Sequence, residues 1–183
     1  MMKRKVSTNL VKEKEFINLI KKHFDFLMEK YGFSIIYSDY SFETFGNCMV
    51  VLESKDCRIR IEKERGQVFL SIALRCIPYI CSKDVSLESF RQWQKQWYDL
   101  SHVTSFLTQG PNQVNWKYKL PEPGFDEKTC IERQMVRLTR ILEPYWNRII
   151  ELFQEESFKK KQKELDEFIR KLAEEKWGTP RKK

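Results

Sequence analysis

Hydrophobic and polar positions follow two different periods along this chain, and the change from one to the other divides it. Between residues 16 and 31, Phe16, Ile17, Ile20, Phe24, Leu27, Met28 and Tyr31 recur at steps of three and four, with Lys21, Lys22, Asp25, Glu29 and Lys30 between them. That spacing predicts an amphipathic helix. Gly32 follows as a left-handed cap, with Phe33 placed to pack back on the last turn. Beyond Gly32 the period shortens to two. Residues 34–40 read as a strand, residues 42–46 as a turn, and three apolar runs come next: NCMVVLES, CRIRIEK and QVFLSIALR. Cys57, Ile59 and Ile61 alternate with Arg58, Arg60 and Glu62, while Val68, Leu70, Ile72 and Leu74 alternate with Phe69, Ser71, Ala73 and Arg75. Each run therefore has one face to bury. Lys55-Asp56 and Glu64-Arg65-Gly66 are breaks of hairpin length. The expected architecture is α+β, an N-terminal helix packed on a four-stranded antiparallel meander and followed by further helices.

The helical period returns after Pro78, which ends strand pairing. Asp84 or Ser86 is placed to cap a second helix with the stripe Leu87, Phe90, Trp93/Gln94, Trp97 and Leu100; Val103, Phe106 and Leu107 continue it or begin another. Residues 110–125 (GPNQVNWKYKLPEPGF) read as a surface loop whose Trp116 and Tyr118 either pin it to the body or await a partner. Asp126 caps a third helix striped by Ile131, Met135, Leu138, Ile141 and Leu142, interrupted at Pro144 and extended by Tyr145, Ile149, Leu152 and Phe153. Residues 155–176 carry seven basic and seven acidic side chains, the pattern of a helix largely in water. Their thin apolar seam is Phe158, Leu165, Phe168, Ile169, Leu172 and Ala173. The expected organisation is a globular domain over 1–154 and a charged helical extension with a basic tail over 155–183. The seam lies on the body or on another chain, and in the second case it offers a route to a homo-oligomer.

Composition narrows the function classes. The net charge of +8 suggests an anionic partner, but its distribution weakens that inference. Residues 1–15 hold five cations against two carboxylates, and Arg181-Lys182-Lys183 adds three more, so the body between is close to neutral. No apolar run approaches the roughly 20 residues of a membrane span, and the N-terminal MMKRKVSTNLVKEKEF lacks the apolar core of a secretory signal. Cys48, Cys57, Cys76, Cys81 and Cys130 form an odd set without CxxC spacing, which points to a reducing, cytoplasmic setting and away from a disulfide framework. With His23 and His102 isolated, no zinc set is spelled out.

Catalytic signatures are sparse: the chain has no GxSxG, P-loop or GxGxxG. Asp39, followed across a hairpin by Glu53-Ser54-Lys55, resembles the metal-binding core of the PD-(D/E)xK nuclease family. That resemblance implies two carboxylates holding Mg²⁺ and Lys55 assisting the attacking water. It departs from the family in lacking a proline before Asp39 and in placing Lys55 at a turn. A nucleic-acid reading uses Arg58 and Arg60 on one sheet face, joined by Phe69 and Arg75, to neutralise phosphate and stack bases.

Protein recognition is the reading the residues favour. Trp93 and Trp97 on one helix, Trp116 and Tyr118 in the loop, and the seam of Phe158, Leu165, Ile169 and Leu172 are the residue types that dominate interfaces. The order helix, KYGF, then NCMVVLES, CRIRIEK and QVFLSIALR, then helices, resembles small α+β bacterial immunity-type proteins of toxin systems over residues 10 to about 107. The resemblance implies a non-catalytic protein that binds a toxin and blocks it. Separately, the residues call for no cofactor or metal. The basic net charge departs from the acidic surface of many nuclease inhibitors.

Overall fold

The computed structural model describes residues 3–41, 47–79, 86–109 and 126–177, without the side chains of 3–12, 176 and 177. The expected turn at 42–46, the loop carrying Trp116 and Tyr118, Asp84, Cys81 and the basic tail lie outside the described residues. The first helical stripe forms α1 (Lys3–His23) and α2 (Asp25–Tyr31) instead of one helix. The break falls at Phe24, where the Asp25 carboxylate accepts the Phe26 N–H at 2.7 Å and competes with the helical hydrogen bond. Phe24 stays buried across the break, so the stripe keeps its core contact. Gly32 (φ 67°) takes the left-handed cap position, and the Phe33 N–H donates to Leu27 O at 3.1 Å.

Four strands follow as a meander: β1 (Ser34–Ser41), β2 (Asn47–Glu53), β3 (Cys57–Glu64) and β4 (Gln67–Leu74). A two-residue strand, β5 (Tyr98–Asp99), adds to β4, giving an antiparallel sheet in the order β1-β2-β3-β4-β5. Arg65 (φ 49°) and Gly66 (φ 77°) make the two-residue turn between β3 and β4, whose paired positive φ values match the twist of the strands. One face carries Val50, Leu52, Cys57, Ile59, Ile61, Val68, Leu70 and Ile72 into the main core.

The later helices are α3 (Leu87–Lys95), α4 (Leu100–Thr108), α5 (Glu127–Leu142), α6 (Trp146–Leu152) and α7 (Glu155–Trp177). Ser86 caps α3, accepting the Ser89 N–H at 3.2 Å; Asp99 caps α4 through Ser101 at 2.7 Å; Asp126 caps α5 through Thr129 at 2.8 Å. The stripe from Leu87 to Leu107 is therefore not one helix, and Trp97 lies beyond the end of the helix that bears Trp93. Pro144 occupies a 3-10 turn (Glu143–Tyr145) between α5 and α6. On α5, Gln134 accepts the Val68 N–H at 3.0 Å and donates to Gly66 O at 2.9 Å, fixing the β3–β4 hairpin to the helical layer.

The charged α7 joins the same core. Phe158 and Leu165 are buried in it, Ile169 packs against it, and the Tyr98 hydroxyl donates to Asp166 at 2.9 Å. Of the two places open to the seam, the body or another chain, Phe158 and Leu165 take the first, so neither side chain is left for a partner. The chain is mixed α+β. Among the described residues no helix is long and apolar enough to cross a membrane.

Candidate functional site

The second face of the sheet gathers the chemistry, because strand register aligns its outward residues in rows. Tyr37, Val51, Arg60, Ser71 and Asp99 stand directly opposite one another across all five strands. Asp39, Met49, Glu62 and Phe69 form the next row, and Glu53, Arg58 and Ala73 another. A small apolar cluster of Val51, Ala73 and Trp97, with Tyr37, Met49, Tyr79 and Trp93 against it, covers part of this face.

Arg60 lies beneath that cluster. Its guanidinium carbon is 4.7 Å from the Trp97 ring centroid and 5.3 Å from that of Trp93, within cation–π range. Its Nε reaches Glu62 Oε2 at 2.9 Å and Ser71 Oγ at 3.2 Å. Burial lowers the pKa of Arg60 against the opposing pull of Glu62; burial likewise raises that of Glu62, with Arg60 opposing. Arg58 is engaged in the same manner. It bonds Glu53 Oε2 at 2.7 Å through Nε, donates to Ile77 O, and stacks over Tyr79 at 5.2 Å. Arg75, more exposed, reaches the other oxygen of Glu53 at 3.3 Å.

Beside Arg60 a cleft of about 620 Å³ opens between the sheet and α3. Asp39, Met49, Glu62, Glu64, Phe69, Ser71 and Asp99 contribute to its sheet side, and Phe90, Trp93 and Gln94 to its helix side. Helix α3 buries none of its own residues. Leu87 is 65% exposed and Phe90 37%, while Trp93 is held by its indole N–H donating to Pro78 O at 2.7 Å.

The nuclease set does not converge. Asp39 and Glu53 share a face, but Asp39 stands opposite Met49, four residues along β2 from Glu53, a separation of about 13 Å from the strand rise. Glu53 is bound by two arginines, and Lys55 is exposed in the turn. Among the described residues no group of three His, Cys, Asp or Glu side chains is placed to hold a metal. The nucleic-acid set does share one face: Arg58, Arg60 and Phe69 lie on it, with Arg75 at its end. Of the protein-binding set, Trp93 is partly exposed, Trp97 is buried, and Ile169 and Leu172 are half-buried. The exposure of Leu87 and Phe90 and the role of Tyr79 were not apparent in the sequence; a helix stripe looks the same whether or not it is covered. Comparison with family models, curated proteins and solved structures gives no match to this chain.

Proposed function

We propose that this protein is a non-catalytic binding protein, of immunity or accessory type, that engages another protein through α3 and the adjoining cleft. The observation that carries the reading is that α3 is amphipathic yet buries no residue, holding Leu87 and Phe90 in water. Exposed apolar side chains grouped on one helix, beside partly covered indoles, are the raw material of an interface hot spot. The arginines favour a protein over a nucleic acid. Arg58 and Arg60 are each tied to a carboxylate and an aromatic ring, so a phosphate would have to displace Glu53 or Glu62 to reach them. The odd set of five cysteines without CxxC spacing supports a reducing, cytoplasmic setting.

The test is affinity capture from source cells near physiological salt, with the chain and its Leu87→Ser/Phe90→Ser variant as paired baits. The expected result is a stoichiometric protein partner, with a protein-like ultraviolet absorbance ratio, recovered by the first bait and not by the second. Equal recovery by both, or nuclease-sensitive nucleic acid in place of protein, contradicts the proposal.

A further inference from the structure

The cleft carries a charge opposite to that of the chain. Its lining includes four carboxylates, Asp39, Glu62, Glu64 and Asp99, against two cations, Arg60 and Lys63, in a chain of net charge +8. Both cations are already held, Arg60 by Glu62 at 2.9 Å and Lys63 by Glu127 at 3.0 Å. Glu127 does not line the cleft, so the lining is acidic. Its walls are aromatic as well, through Phe69, Phe90, Trp93 and Trp97. Carboxylates beside aromatic rings are the combination that recognises an organic cation, by charge and by the ring quadrupole together. Arg60 demonstrates the fit within this molecule, since one planar guanidinium already rests against two of these indoles.

We propose that the cleft receives an arginine side chain of the protein partner. The inference rests on the binding function proposed above and adds the chemistry of what enters. Arginine is favoured over lysine because a planar guanidinium stacks on a ring while bonding a carboxylate in its own plane. Asp39 and Glu62, in one row of the sheet on either side of Met49, supply the acceptors, together with Glu64 in the same lining. The raised pKa of Glu62, where burial outweighs the pull of Arg60, is consistent with a carboxylate that a second cation would stabilise.

The experiment titrates the full chain with three blocked tripeptides, of arginine, of its neutral isostere citrulline, and of glutamate, reading the assigned indole N–H resonances of Trp93 and Trp97. The arginine peptide is expected to shift the Trp93 resonance saturably, with the citrulline and glutamate peptides leaving it in place. Asp39→Asn with Glu64→Gln should weaken that binding about five-fold, and added salt should weaken it further. No shift with arginine, an equal shift with citrulline, or unchanged affinity in the double variant overturns the inference. If those results overturn it while the Leu87→Ser/Phe90→Ser bait still loses its protein partner, the binding function stands without the arginine. If that bait keeps its partner, the binding function itself fails.

Discussion

At Arg60 a guanidinium lies under two indoles with Glu62 and Ser71 within hydrogen-bond reach. Glu62→Gln removes the counter-charge and leaves the guanidinium in its apolar surroundings, which should cost about 1–3 kcal/mol. A fall in the urea midpoint at unchanged slope is the expected readout. Cys57 makes a second residue-scale prediction. Burial pushes its thiol from an ordinary 9.0 up to about 12, with the Ser54 hydroxyl acting weakly against it. The folded state therefore holds the proton that the unfolded chain releases, so this contribution is full below pH 9 and is lost as pH rises toward 12. Each unit in that window removes about 1.4 kcal/mol. The slope of unfolding free energy against pH should be smaller in Cys57→Ala than in the parent, and equal slopes would refute the assignment. The alternation of Cys57, Ile59 and Ile61 with Arg58, Arg60 and Glu62 was legible in the sequence, since a strand sends neighbours to opposite faces. What covers the arginines was not. Tyr79, Trp93 and Trp97 reach this face from beyond the sheet, and no periodicity links them to it.

Among the elements, α3 and α7 meet different surroundings. The apparent continuation of the α3 stripe through Trp97 and Leu100 concealed the break at Gln96, where the chain leaves the helix to form β5. The thin seam on α7 left the body and another chain open, and its first half closes the core through Phe158 and Leu165. Amphipathicity states that a face seeks cover and is silent on which surface supplies it. The two helices should respond oppositely to substitution. Leu87→Ser with Phe90→Ser removes side chains already in water and should change stability by no more than about 0.5 kcal/mol. Leu165→Ala opens a buried cavity and should cost about 2–5 kcal/mol. Thermal or urea unfolding of both variants checks the pair, and a large loss in the α3 variant would mean that this helix is structural.

For the whole molecule, the helical layer, the sheet and the aromatic second face form a sequence of supports. Helices α1, α2 and α4–α7 bury one sheet face and hold the hairpins in register; that register aligns Arg60, Glu62 and Asp39 on the other. Truncation after Phe153 should therefore unfold the domain instead of merely releasing a tail, because Phe158 and Leu165 are removed from the core. Loss of a cooperative melt and of near-ultraviolet dichroism is expected; a native melt in the truncated chain would show that α7 is dispensable. The helix-then-meander order was legible because one apolar stripe runs through α1 and α2 and because Cys57–Ile61 and Val68–Leu74 alternate. The fifth strand was not, since two residues carry no period.

The most direct measurement of α3 as the docking helix is site-specific photo-crosslinking in source cells, with a benzoylphenylalanine placed at position 90 and, as control, at the exposed position of Lys163 on α7. A discrete protein adduct from position 90, absent from position 163 and lost on adding Leu87→Ser, is the predicted result. No adduct at position 90, or the same adducts from both positions, would contradict a protein-binding role for this helix.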